Sequence, residues 1–490
     1  MKPRLVLALA CVAQFMVVLD VSVVNVALPS IQSSLGFAAA DLPWVAGAYT
    51  LAFAGFLLPG GRLADLFGTR RVFLAGLVLF SVPSLVGGLA GTPGTLIAAR
   101  AAQGIGAAVL APATLTVLTT TFPEGPRRTR ALATWTAVSL AGGAAGNLIG
   151  GVLTESLSWR WILLVNAPIG AVAIVLAARV LAARAPSGRV PSGRVPSGRG
   201  RGGAGRLDLP GAASVTGGLA LLAYGLMQAG PRGWDDTVTV AALLGAAVLL
   251  AVFAVVETRP GRDPLIPPRL FRVRAVSAGN AVMLLAGACF QVPMWYFLTL
   301  YMQDVLHYSA LRTGLGFLPH TLLTMIVGLR VTPWLMRRFD DRALIIAGAL
   351  VAAAGFLWQS RITAESGYVS GVLGPAILVS AGGGLLNTPL TTTVTSGVAE
   401  RDAGAAAGLM NTAKQVGGAL GLAVLTAAIA GHASTPAALA GAYGRAFLIM
   451  AGMLAVIAGA SLLLPARRDA VQAVPPARPH VEVESNSHGQ

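Results

Sequence analysis

The sequence predicts an all-α polytopic membrane protein of about fourteen transmembrane helices. Three observations carry that prediction: little charge, long apolar runs that recur along the whole chain, and abundant glycine. Of 490 residues, 55% are hydrophobic and 11% charged, whereas a soluble protein carries about a quarter of its residues as Asp, Glu, Lys or Arg. So little charge cannot cover a water-facing surface, and much of the surface must face lipid. There, a segment has to satisfy its own backbone hydrogen bonds, which favours helices. The 60 glycines would weaken helices in water, but spanning helices use them for close packing.

Apolar runs of spanning length fall at 5–24, 44–60, 72–91, 95–118, 131–153 and 161–182, then at 209–229 and 237–257. Six more follow at 275–302, 314–336, 343–361, 371–396, 403–430 and 444–464. The first run is longer than the apolar core of a signal peptide and carries Asp20 and Asn25, so it reads as a span. An even number of spans puts both termini on one side. Loops on that side hold Arg70–Arg71, Arg127–Arg128–Arg130, the 184–206 stretch, Arg259 to Arg274, Arg337–Arg338–Arg342 and Arg467–Arg468. The opposite loops hold only scattered arginines such as Arg160, Arg232 and Arg312. Cytoplasmic loops carry the positive excess, so both termini are expected in the cytoplasm. The same placement explains the net charge of +16 without nucleic acid. Arginine in place of lysine (only Lys2 and Lys414 occur) and abundant alanine point to a GC-rich bacterial genome.

Residues 183–207 repeat Pro-Ser-Gly-Arg three times and cannot build a core; a flexible cytoplasmic linker is expected there. A polar, disordered tail is expected over 465–490. Cys11 and Cys289 both lie in apolar runs and read as small core residues. No cluster of metal ligands, phosphate-binding Gly-x-x-x-x-Gly-Lys-[Ser/Thr] loop or Gly-x-Ser-x-Gly nucleophile motif appears. Neither an enzyme nor direct use of ATP is indicated, and no cofactor or metal is expected.

Charges inside the spans are few, and each is informative because a charge at mid-bilayer costs about 2.5–3.5 kcal/mol on insertion scales. Asp20 is the one acid plainly inside a span; Arg100 lies in the fourth. An acid that alternates between dry and hydrated surroundings can take up and release a proton, with Arg100 as the cation that modulates it. The competing reading is a static structural pair. Lys414 lies in the thirteenth span and His320 in the tenth, after Phe317-Leu318-Pro319. His320 reads either as a second titratable group or as a neutral packing residue. Trp295 and Tyr296, next to the Gln291–Pro293 interruption, are candidates for an aromatic cavity wall, with Asn25, Asn411 and Gln415 as further polar candidates. Glu155, at the outer end of the fifth span, reads as an entrance residue or a solvated one. In that span Gly142, Gly146 and Gly150 recur every four residues, flanked by Gly143 and Gly151, so one face is nearly bare backbone.

The stretch after the second span reads Gly61-Arg62-Leu63-Ala64-Asp65-Leu66-Phe67-Gly68-Thr69-Arg70-Arg71. Its Gly-x-Leu-Ala-Asp-x-x-Gly-x-Arg-Arg pattern resembles the signature loop of the major facilitator superfamily. Leu19-Asp20 through Leu28-Pro29, Arg100-Ala101-Ala102-Gln103-Gly104, Ser158-Trp159-Arg160-Trp161, Asn166-Ala167-Pro168-Ile169-Gly170 and Asn411-Thr412-Ala413-Lys414-Gln415-Val416-Gly417-Gly418 resemble motifs of its fourteen-span drug:proton antiporters. The resemblance covers about 5–464. It implies a major facilitator fold: a six-helix bundle at 1–182, two extra central helices at 208–258 and a second six-helix bundle at 259–464. It implies a monomeric, proton-driven antiporter of the bacterial cytoplasmic membrane that exports drugs, antibiotics or lipophilic secondary metabolites by alternating access. Within it, Gly61, Asp65, Gly68, Arg70 and Arg71 form a gating loop that latches the bundles, and Arg100 is tied to proton coupling. The glycine face of the fifth span matches the antiporter motif, except that Asn147 stands where proline is expected, replacing a kink by an amide. A proton symporter or facilitator for a small nutrient, a non-transporting membrane sensor and a membrane enzyme are the competing classes. No soluble signalling domain supports the sensor reading.

Overall fold

The computed structural model describes residues 3–123, 125–181, 209–258, 268–396, 398, 403–429 and 435–465. The expected linker at 183–207 and the expected tail from 466 onward lie outside them. The described residues form α1 (Pro3–Leu35), α2 (Trp44–Phe67), α3 (Thr69–Gly88), α4 (Pro93–Thr121), α5 (Pro126–Ser156), α6 (Trp161–Val180) and α7 (Leu209–Arg232). They continue with α8 (Thr237–Thr258), α9 (Arg274–Val305), α10 (Ala310–Met336), α11 (Asp341–Gln359), α12 (Val369–Thr395), α13 (Ala403–Ile429) and α14 (Pro436–Ala460). Eleven are long and apolar enough to cross a membrane, and α5 counts as a twelfth despite a 41° bend. The apolar parts of α2 (Trp44–Leu57) and α7 (Ala213–Ala229) are shorter and complete the set. The chain is therefore an all-helical, multi-pass membrane protein.

Helix starts follow ordinary capping chemistry. Thr92, Ser309 and Thr435 accept hydrogen bonds from the backbone N–H three residues on, and proline occupies the first turn of α4 and α14. α1 runs past the expected end of the first span, through Pro29, because Leu28 and Ile31 still bury apolar side chains. The signature stretch is a correction to the loop read from sequence: Gly61–Phe67 is still helix, and the chain reverses at Gly68 alone. Gly68 has φ 84°, a left-handed conformation open to glycine at no steric cost.

α1 to α6 pack around one core that includes Met16, Phe73, Phe80 and Leu110, and α9 to α14 around another that includes Phe297, Phe356 and Phe447. α7 and α8 pack against each other, and α7 wedges against α2 and α13, where Leu51, Leu219, Ala223 and Val416 meet. α8 presents Val240, Leu244, Val248, Val252 and Val255 outward at helical spacing, as a lipid-facing stripe should. The two halves join at the end away from the amino terminus. There Val23, Leu28 and Ile31 of α1 and Trp159 are part of the same apolar core as Phe297 and Tyr301 of α9.

Candidate functional site

The charged centre of the first half lies midway along α1. Arg100 of α4 donates from Nη1 to Asp20 Oδ2 at 2.5 Å and to Gln103 Oε1 at 2.7 Å, and from Nε to the Val45 carbonyl of α2 at 3.1 Å. Gln103 Nε2 donates to Asp20 Oδ1 at 2.8 Å and to Ser84 Oγ at 3.1 Å. Asn166 Nδ2 of α6 donates to the same two oxygens, and the Ser84 hydroxyl of α3 donates a hydrogen bond to the Leu163 carbonyl. The guanidinium also lies 4.4 Å from the centre of the Tyr49 ring. Asp20 is 0% and Arg100 1% exposed. Five helices thus contribute to one buried network, in which both carboxylate oxygens have donors. Removing one member of such a pair strands an uncompensated buried charge, which costs about 3–5 kcal/mol.

Of this network, sequence reasoning singled out Asp20 and Arg100. Gln103 was detectable, three residues beyond Arg100 on the same helical face. Ser84, Tyr49 and Asn166 carry no charge to mark them; Tyr49 meets Arg100, Asn166 meets Asp20, and Ser84 joins through Gln103 and Asn166, all by tertiary packing.

α5 lays its glycine face on α1. A Cβ at Gly146 would lie 2.5 Å from Ser22 Cβ, and one at Gly150 would lie 2.7 Å from the Val23 carbonyl oxygen. Gly142 sits against Phe15, whereas Gly151 faces the Ala310 carbonyl in the second half. The bend in α5 falls between Gly143 and Ala145 without any proline, and adjacent glycines account for such a kink. Asn147 is 2% exposed, and its Oδ1 has no hydrogen-bond partner among the described residues. Beyond it, Glu155 Oε2 accepts from the Leu311 N–H at 2.9 Å, and Gln303 Nε2 donates to the Val26 carbonyl at 2.7 Å. Both bonds cross between the halves at the joined end.

In the signature stretch, Arg70 donates to the Ala178 carbonyl at 2.8 Å, a contact within the first half. Arg71 is exposed and Gly61 lies near Pro112 of α4. The side chain of Asp65 lies outside the described part of the molecule.

The second half holds a cavity of about 130 Å³ between α9, α10, α12 and α13. Trp295, His320 and Lys414 line it. The Trp295 and His320 rings meet edge-on at 5.0 Å, and His320 Nδ1 lies 2.7 Å from Ser380 Oγ. Other sequence candidates are not brought to it. Tyr296 is buried in the apolar core beside Phe297, because neighbouring residues on a helix point about 100° apart. Asn25 is buried on α1 and bonds to the Val21 carbonyl, Asn411 is exposed, and Gln415 is half-buried off the cavity.

A family model described as the Major Facilitator Superfamily matches residues 10–422. The chain is 57% identical over 476 residues to the cephamycin export protein CmcT of Amycolatopsis lactamdurans, covering 97% of this chain and 94% of that one. It is 41% identical over 487 residues to the puromycin resistance protein of Streptomyces alboniger, covering 95% and 93%. Among solved structures, a peptide transporter POT superposes with a TM-score of 0.66 at 18% identity, over 94% of this chain and 95% of that one.

Proposed function

The chain belongs to the Major Facilitator Superfamily, and on that premise we propose that it is a proton-driven antiporter exporting antibiotic-like compounds across the bacterial cytoplasmic membrane. The observation that carries export is full-length similarity to a cephamycin export protein and a puromycin resistance protein. The Asp20–Arg100 network supports proton coupling. A proton delivered to Asp20 cancels its charge, weakens its bond to Arg100 and leaves the guanidinium to seek other partners. A packed network that has two hydrogen-bonding arrangements can bias two conformations of the surrounding helices.

The arginine distribution supports cytoplasmic termini, and in that orientation the end joined through Glu155 and Gln303 faces outward. On that reading we assign the structure to the inward-facing state, which loads substrate from the cytoplasm. Arg70 bonds within its own half, and among the described residues no hydrogen bond from it crosses to the other half. Rocking of the halves about a midplane site completes the cycle. One chain supplies both halves, and we assign the monomer as the working unit. Each proton entering gains about 2.3 kcal/mol per 100 mV of membrane potential.

The test is drug-evoked proton release from proteoliposomes, comparing the native protein with Asp20→Asn across lipophilic drugs that include puromycin. Coupled efflux that disappears in the folded variant is the expected result. Undiminished coupling in Asp20→Asn would reduce the network to a structural brace.

A further inference from the structure

Lys414 stands apart from the other cation buried at the middle of the spans. It is half-buried on α13, lines the cavity of the second half, and makes no hydrogen bond or ion pair among the described residues. Its position is fixed by backbone packing. A Cβ on Gly287 of α9 would overlap the Lys414 carbonyl, and one on Gly417 would overlap the Leu284 carbonyl. α9 and α13 therefore touch backbone to backbone, and this contact holds Lys414 on the wall. No Asp or Glu lines the cavity with it. The walls are Phe290, Trp295, Met283 and Met294, while Gln291 and Thr324 add polar groups. Thr324 Oγ1 is buried without a partner among the described residues. An unpaired ammonium and an unpaired hydroxyl in an aromatic and thioether pocket form half of a recognition site.

We propose that this cavity binds the carboxylate end of an amphipathic substrate, with Lys414 pairing the carboxylate and Phe290 and Trp295 packing on an adjoining ring. The inference rests on the exporter reading and names the chemical class it carries: small organic acids with an apolar body. A void of about 150 Å³ holds one benzene ring, so a cavity of about 130 Å³ takes a ring-sized fragment, and the rest of a larger molecule extends out of it. A carboxylate at Lys414 neutralises the ammonium where water is scarce, which a neutral or cationic ligand cannot do. Asp20 offers no equivalent for cations, because both its oxygens already accept hydrogen bonds from Arg100, Gln103 and Asn166.

The experiment uses the full-length protein in nanodiscs of zwitterionic lipid only, so that no anionic headgroup competes. Benzoate, 3-phenylpropionate and 2-naphthoate are each titrated against the matching primary amide by ligand-observed NMR. We expect the native protein to bind the acids more tightly than the amides by about tenfold or more, the scale of a hydrogen bond to a charged group. Lys414→Met removes the preference, and amide binding that persists in this variant reports that the pocket is folded. Lys414→Arg keeps the preference. If Lys414→Met loses amide binding as well, Lys414→Gln is judged by the same criterion. Acids that bind no better than amides to the native protein overturn the proposal, as does a preference that survives in Lys414→Met. The same compounds are then followed in the proteoliposome efflux assay. Proton-linked export without acid preference leaves the exporter reading standing and sinks this one. Acid preference in binding without proton-linked export of any compound sinks the exporter reading alone.

Discussion

The two halves of the molecule treat a positive charge inside a span in opposite ways. In the first half Arg100 is enclosed, paired with Asp20 and surrounded by Gln103, Tyr49 and the Val45 carbonyl. In the second half Lys414 borders a cavity with no counter-charge among the described residues. The difference teaches where each charge acts. A charge whose partners are all protein groups can change state only if one of those partners does, and a proton is small enough to enter and do so. A charge that borders a cavity is completed by whatever enters the cavity. Guanidinium suits the first task through its fixed fork of donors, and ammonium suits the second as a flexible point charge.

Several substitutions would break or sharpen this contrast. Arg100→Ala should have the largest effect, a loss of about 3–5 kcal/mol, because Asp20 is left buried and unpaired; thermal unfolding in detergent reads it. Gln103→Ala removes one acceptor from Arg100 and one donor from Asp20, and about 1.5–3 kcal/mol is expected. A result near zero would mean that the network is looser than its geometry. Gly146→Leu should overpack the α1–α5 contact at a cost of about 1–3 kcal/mol and slow transport without altering Lys414-dependent binding. Glu155→Gln weakens the bond to the Leu311 N–H. A shift of about 1 kcal/mol toward outward opening is expected, read as a larger spin-label separation between the outer ends of α5 and α10. Lys414→Met should cost least, below about 1 kcal/mol, since no protein partner is lost. If it destabilised as much as Arg100→Ala, Lys414 would have a structural role and the contrast between the halves would fail.

Much of this was legible in the sequence. The spans were visible as apolar runs because a bilayer fixes their length, and Asp20 and Arg100 stood out because charge inside a span is costly. Other elements misled for identifiable reasons. Polar and glycine-rich composition made Gly61–Phe67 look like a loop, yet α2 continues through it and turns on one left-handed glycine. The missing proline of α5 suggested a straight helix, while glycines supply a 41° bend. Trp295 and Tyr296 looked equivalent as neighbours, but helical geometry sends one to the cavity and the other into the core.

The sequence by itself determined the class of the molecule, its span count and its scarce buried charges, since these follow from the cost of exposing polar groups to lipid. Tertiary structure alone decided who partners whom. Asn166 meets Asp20 and Ser84 across more than eighty residues of chain, and the joined end was set by α1 and Trp159 entering the core of the second half. The same packing left Lys414 without a hydrogen-bond or ion-pair partner among the described residues. Composition and periodicity report what a helix must hide from water, but the side chain it meets depends on crossing angles and on glycines that let backbones touch.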